Sequence, residues 1–173
     1  KVKLLKEIGF ENYSFDLIYA LPEQTVEELS DDLKLVCSLE PKHISTYSLI
    51  LEDHTILKKL YDKKKWEIID EEIDEKMYFQ IIDFLNDFGY SQYETSNFSK
   101  VSYESKHNLI YWNNEHYYSI GPSSSDYLLN VRSKRTANLN NYFSSLDNNQ
   151  VMFDEKDILS VDDMMEEEIL LGL

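Results

Sequence analysis

Residues 13–51 decide the fold: YSFDLIYAL (Tyr13–Leu21), a helix signature from Thr25, then HISTYSLIL (His43–Leu51). The first run is short, apolar, rich in aromatic and β-branched residues and stopped by Pro22, which predicts a buried strand. Thr25 and Glu28 stand at capping-box spacing, and behind them Val26, Leu29, Leu33, Val36 and Cys37 recur at steps of three and four. That pattern is one face of a helix, ended by Glu40-Pro41. His43–Leu51 supplies the second strand. Strand, helix and strand in such close succession predict a βαβ unit, hence a parallel pair with a right-handed crossover.

Ligands of such sheets lie beyond the carboxyl ends of the strands, so Ala20–Gln24 and Leu51–Thr55 form the expected working rim. Asp16 lies inside the first strand, where a carboxylate is costly unless something bonds it. Two readings stand for it: a structural partner in a neighbouring loop, or the hydroxyl of a ligand. His43 opens its strand at the far end and reads as structural, and Cys37 reads as an inert core thiol.

Upstream, KVKLLKEIGF reads as the last turns of a helix closed by Gly9. Downstream, Asp70 caps a long helix over Glu71–Phe88, with Ile73, Met77, Ile81, Phe84, Leu85 and Phe88 on one face. The basic run KKLYDKKKWEI before it reads as a solvated face or turn. Tyr127–Val131 is expected as a strand, Asn138–Leu146 as a short capped helix, and Val161–Leu171 as a last helix capped by Ser160. Alternation of strand and helix stops near Asp53, which divides the chain into residues 1–53 and 54–173.

Acidic residues outnumber basic ones 33 to 17 in 173 residues, a formal charge of −16 that repels phosphate backbones and argues against nucleic-acid binding. No apolar run has the length of a membrane span and no signal peptide opens the chain, so a cytoplasmic location is expected. Cys37 is the single cysteine, which excludes an internal disulfide and cannot alone hold an iron–sulfur cluster. Both ends read as cut, as in a fragment of a longer protein.

From Tyr93 to Pro122 the sequence YETSNFSKVSYESKHNLIYWNNEHYYSIGP follows no helical or alternating period, yet it holds two of the four histidines and one of the two tryptophans. It is either a surface that holds something or a loop packed on its own domain. His107 and His116 lack a third metal ligand at a helical interval. A single imidazole is enough for one axial position of a haem, and Tyr111, Trp112, Tyr117 and Tyr118 offer flat neighbours for a porphyrin.

The order of these blocks is specific. FDLIYALPEQT, HISTYSLILE, YETSNFSK, SKHNLIYW and SIGP resemble the radical S-adenosylmethionine (SAM) proteins of the oxygen-independent coproporphyrinogen III oxidase-like family, which include the haem chaperones. The family pattern reads DLIYGLPGQT, HISxYxL, YExSNF, HNxxYW and IGPGAHS. The resemblance implies an α/β fold: the end of a partial (β/α)6 radical SAM barrel, two parallel strands with a crossover helix, followed by an α+β accessory domain. It implies that a CxxxCxxC loop elsewhere holds a 4Fe-4S cluster and SAM in the complete protein, and that this chain by itself binds no cluster and is inactive. Asp16 matches an aspartate associated with SAM, Ile50 lines the adenosine pocket, and His107 matches a histidine proposed to meet haem iron, with Tyr111 and Trp112 beside the porphyrin. The implied function is haem binding and delivery to an acceptor protein. One alternative is oxidative decarboxylation of coproporphyrinogen III propionates by a 5′-deoxyadenosyl radical, as in an oxygen-independent coproporphyrinogen III oxidase. The other is a protein-interaction module whose aromatics are core. The chain departs from the family at Ala20 and Glu23, where glycines are usual, and at Ser125, where the family has histidine.

Overall fold

The βαβ unit forms as the pattern predicts. In the computed structural model, which describes residues 1–172, the chain runs α1 (Val2–Glu7), β1 (Ser14–Tyr19), α2 (Val26–Ser38), β2 (His43–Ser48), α3 (Ile56–Asp62), α4 (Glu71–Asp87), β3 (Ser91–Glu94), β4 (Asn97–Ser99), α5 (Lys106–Trp112), β5 (Ser125–Leu128), β6 (Val131–Arg135), α6 (Leu139–Asp147), β7 (Phe153–Ile158) and α7 (Val161–Leu171). This is the α/β fold expected: a parallel pair, β1 with β2, joined by a helix. The Thr25 hydroxyl accepts the Glu28 N–H at 3.1 Å and the Glu28 carboxylate accepts the Thr25 N–H at 2.9 Å, so both halves of the capping box close.

Residues Lys1–Glu104 make one unit and those from Ser105 onward another. In the first, a four-stranded sheet has the order β1-β2-β4-β3, with β4 antiparallel to β2. The division expected after residue 53 therefore falls inside this unit, because the β3–β4 hairpin extends the same sheet. Leu29, Leu33, Val36 and Cys37 of α2 and Met77, Ile81 and Leu85 of α4 form one core cluster with Tyr19, Ile44, Tyr90 and Phe98. Burying each such side chain removes it from water at roughly 25 cal/mol per Å². The basic run is not simply a turn: its first residues belong to α3, which Thr55 caps.

In the second unit β5, β6 and β7 form an antiparallel sheet in that order. The single strand expected over Tyr127–Val131 is instead the turn of a hairpin, with Leu129 at φ 58° between β5 and β6. The helices expected from Asn138 and Ser160 both form, each N-cap side chain accepting a backbone N–H. Arg132 of β6 grips Glu167 of α7 through two parallel bonds, Nε to Oε1 at 3.0 Å and Nη2 to Oε2 at 2.7 Å. Among the described residues no helix is long and apolar enough to cross a membrane.

Candidate functional sites

Helices α2 and α4 cover one face of the first sheet through the core cluster, and on the other face the edge strand β1 is exposed while residues of β2 and β4 are buried. On β1 the core-side residues are Phe15, Leu17 and Tyr19, while Ser14, Asp16 and Ile18 alternate with them and are exposed. Asp16 is thus not the buried carboxylate that the apolar run suggested. The alternation of a strand with one covered face places it on the open side, where it pays no burial cost. Register carries that face across the sheet, Asp16 beside Ser45, Ser45 beside Asn97, and Asn97 beside Glu94. A second row lies next to it, Ser14, His43, Ser99 and Ser91. Where the first face is greasy, this one is polar.

His43 is buried and its Nε2 lies 2.7 Å from the Tyr93 hydroxyl, so its structural reading holds. Burial pushes the imidazole below its usual range, opposed by the negative charges of Asp16 and Glu94. The Asn97 amide donates to a Glu94 carboxylate oxygen, while Asn97 Oδ1 and Ser99 Oγ are buried with no hydrogen-bond partner. None of these three, Glu94, Asn97 or Tyr93, was singled out from sequence as a site residue. The signal was present in YETSN, but a β-bulge between Gln92 and Glu94 breaks the alternation that would have aligned them.

At the carboxyl ends of β1 and β2, Ala20 (φ 57°) and Glu23 (φ 63°) adopt the left-handed conformation that favours glycine. The two positions at which the chain departs from a family glycine are therefore positions where its backbone still takes the glycine-like shape. A recess of about 580 Å³ lies here, lined by Leu21, Pro22, Glu23, Gln24, Glu28, Asp31 and Asp32. Ile50 follows β2 and is 75% exposed.

In the second unit the supposedly aperiodic stretch contains a helix. Ser105 caps α5, its hydroxyl accepting the Asn108 N–H, and this places His107 and Tyr111 one turn apart on the same side. His107 Nε2 lies 3.0 Å from the Tyr111 hydroxyl, and the two rings meet edge to face at 4.9 Å. Tyr111 in turn meets Tyr117 at 4.6 Å, and Tyr117 meets Tyr127 at 6.4 Å. His107, Tyr111 and Trp112 are all exposed. His116 is differently placed: its Nε2 donates to the Leu129 carbonyl at 3.1 Å, and its ring packs on Tyr127.

The cations that a substrate rich in carboxylates would need are largely engaged. Arg132 grips Glu167 and lies 4.2 Å from the Tyr127 ring centre, Lys134 pairs with Glu155 at 3.1 Å, and Arg135 donates to Ser119 at 2.7 Å. Lys100 donates to the Phe88 carbonyl and sits 3.9 Å over the Tyr90 ring. A cluster of iron and sulfide needs several thiolates; the donor set here does not fit one, since Cys37 is buried and burial raises its thiol above the usual range. Among the described residues no group of three or more His, Cys, Asp or Glu side chains is arranged to hold a metal.

No family model matches the chain. Individual proteins do. It is 41% identical over 172 residues to a protein of Lactococcus lactis named heme chaperone HemW, covering 99% of this chain and 45% of that protein. The protein of the same name from Bacillus subtilis is 34% identical over 168 residues, covering 97% of this chain and 44% of the relative. The chain thus spans less than half the length of these relatives. Among solved structures, the radical SAM enzyme coproporphyrinogen III oxidase (HemN) of Escherichia coli superposes with a TM-score of 0.74 at 18% identity, covering 99% of this chain and 42% of the enzyme. At that identity the likeness is one of fold, and it fits the end of a radical SAM barrel together with an accessory domain.

Proposed function

We propose that this chain, 41% and 34% identical to proteins named heme chaperone HemW, is the part of a radical SAM protein that binds haem and passes it to an acceptor protein. The observation that carries the reading is the α5 cluster: an exposed imidazole, His107, beside a run of tyrosine rings at 4.6–6.4 Å. An imidazole nitrogen gives iron one axial bond, and Tyr111, Trp112 and Tyr117 give the porphyrin plane apolar contact. The Tyr111 hydroxyl fixes the His107 ring, which leaves one nitrogen turned toward a ligand in one tautomer and makes iron displace the hydroxyl in the other.

In the intact protein the parallel pair and crossover helix of residues 1–53 are the end of the barrel, and residues 54–173 begin with the helices and hairpin that continue the same unit before the second unit from Ser105. Asp16 and Ile50 are the residues of this chain assigned to SAM. The Asp16 carboxylate accepts from the ribose hydroxyls, and Ile50 covers the adenosine from the strand ends. A 4Fe-4S cluster, held by thiolates that this chain does not supply, gives the family its radical chemistry when bound. The decarboxylase reading fits less well, because Arg132, Lys134, Arg135 and Lys100 already have partners.

Titration with haemin tests the haem reading. The intact protein shifts the Soret band on binding, His107→Ala removes most of that shift, and His116→Ala leaves it. An unchanged spectrum in the His107 variant would return HNLIYW to packing.

A further inference from the structure

The first unit carries a basic patch that neither proposed ligand uses. In a chain with a formal charge of −16, five of the 17 basic residues, Lys58, Lys59, Lys63, Lys64 and Lys65, fall in α3 and the turn that closes it. Backbone bonds order that turn: the Lys64 N–H donates to the Tyr61 carbonyl at 2.7 Å and the Lys65 N–H to the Leu60 carbonyl at 3.1 Å. Half-buried Tyr61 and Trp66 pack ring to ring across it at 5.5 Å. Asp62 is the one carboxylate within the run, and Lys58 takes it at 2.6 Å. Among the described residues Lys59, Lys63, Lys64 and Lys65, all exposed, have no carboxylate within ion-pair distance. The helix dipole favours cations in the last turn of α3, but its effect fades there, and Lys64 and Lys65 lie past the C-cap. Lys59 and Lys63 follow Ile56 at helical spacing, and Ile56 is 77% exposed, so an apolar side chain shares the lysines' side of the helix.

We propose that this face of α3 docks an acidic surface of a partner protein, with Ile56 as its apolar contact. Charge selects the class of partner. Four unpaired ammonium groups attract carboxylates, and at about 0.15 M salt charges farther off than roughly 8 Å are screened. A compact acidic patch therefore feels the lysines and little of the rest of the chain. Extended polyanions lack that freedom. A membrane plane or a nucleic acid continues past the patch and meets the exposed carboxylates that precede and follow it, Glu52, Asp53, Glu67, Asp70, Glu71 and Glu72. Those carboxylates favour a partner protein instead, because cations at the edge of its acidic patch pair with them and fix the register of docking.

The test uses the intact protein and, as probe, a fluorescein-labelled peptide of Glu-Glu-Leu repeats read by fluorescence anisotropy, beside phosphatidylglycerol vesicles and a single-stranded RNA. The peptide binds, and raising salt from about 0.1 M to about 1 M, which shortens the Debye length from about 10 Å to about 3 Å, weakens it roughly tenfold or more. The triple variant Lys59→Glu, Lys63→Glu, Lys65→Glu loses affinity on the same scale. A control triple, Lys3→Glu, Lys34→Glu, Lys156→Glu, reverses exposed lysines elsewhere, changes the net charge equally and leaves the affinity nearly unchanged. Ile56→Ser weakens the peptide less than the first triple does. Lys59→Ala with Lys63→Ala weakens it in the same direction, which covers the case in which the triple reversal does not fold. Equal losses in the two triples mean that net charge alone draws the peptide, and they overturn the docking face. A peptide that does not bind overturns it too, whether the remainder of the protein covers α3 or vesicles or RNA bind there instead. An oligomer of the wild type that the first triple dissociates gives the face to a second copy and likewise overturns the proposal.

Discussion

The two units are held together by different materials. In the first, Leu29, Leu33, Ile44, Met77, Ile81, Leu85 and Phe98 are fully buried between two helices and a sheet. In the second, the buried large hydrophobic side chain among the described residues is Tyr127, and the other buried side chains are polar: Ser119, Asp126, Ser133, Thr136 and Ser145. Asp126 accepts from the Ser119 hydroxyl at 2.5 Å and from the Ser133 hydroxyl, and the Ser119 oxygen accepts from Arg135. Meanwhile Ile120, Phe143, Val161, Met165 and Ile169 stay exposed. A unit built on a packed core resists local opening, whereas one built on hydrogen bonds and aromatic edges opens more readily. The proposed haem site lies on the second kind and the proposed SAM site on the first.

That contrast is easiest to break through the core. Leu33→Ala removes a fully buried side chain of α2 and is expected to cost about 2–5 kcal/mol of the first unit's stability, measured by chemical denaturation. Asp126→Ala in the second unit loses charge-assisted bonds from two hydroxyls and is expected to cost about 1–3 kcal/mol. If the aspartate proves the costlier of the two, the distinction between a greasy unit and a polar one fails.

A smaller effect sharpens the reading of the rim. Glu23 is exposed in the left-handed region, a strain of about 1–2 kcal/mol that glycine avoids at some cost in chain entropy. Glu23→Gly is therefore expected to raise stability by up to about 1 kcal/mol. A loss would show that the Glu23 side chain holds the loop.

The smallest expected effect is one of pH. Burial holds the folded His43 below its ordinary value, so the folded state binds fewer protons than the unfolded one in the window just under the unfolded pKa. Its contribution is present above about pH 6.5 and is lost as pH falls through the folded value. His43→Asn should flatten the melting temperature's dependence on pH over that window relative to the wild type. An identical slope in both proteins would remove His43 as its source.

Much of this architecture was legible because long elements announce themselves. α2 and α4 show unbroken apolar steps with an oxygen-bearing cap, and β1 and β2 flank them with β-branched and aromatic runs. The elements that escaped are short or uncovered. β4 has three residues, α5 has seven, and every residue of β7 is exposed, so no buried face writes a period into its sequence. The sites divide in the same way. Asp16, Ile50 and His107 were reached through ordered motif blocks, but the exposure of Asp16 was misjudged because an apolar run does not say that one face is uncovered. Glu94 and Asn97 needed the register of a bulged hairpin, which only the fold supplies.

The central claim is that His107 gives haem iron its axial bond. The iron–histidine stretching band of the ferrous haem complex, recorded by resonance Raman spectroscopy on the intact protein, tests it most directly. The wild type should show the band, His107→Ala should lose it, and free imidazole added to that variant should restore it. A band of the same frequency and intensity in His107→Ala without imidazole would contradict the account.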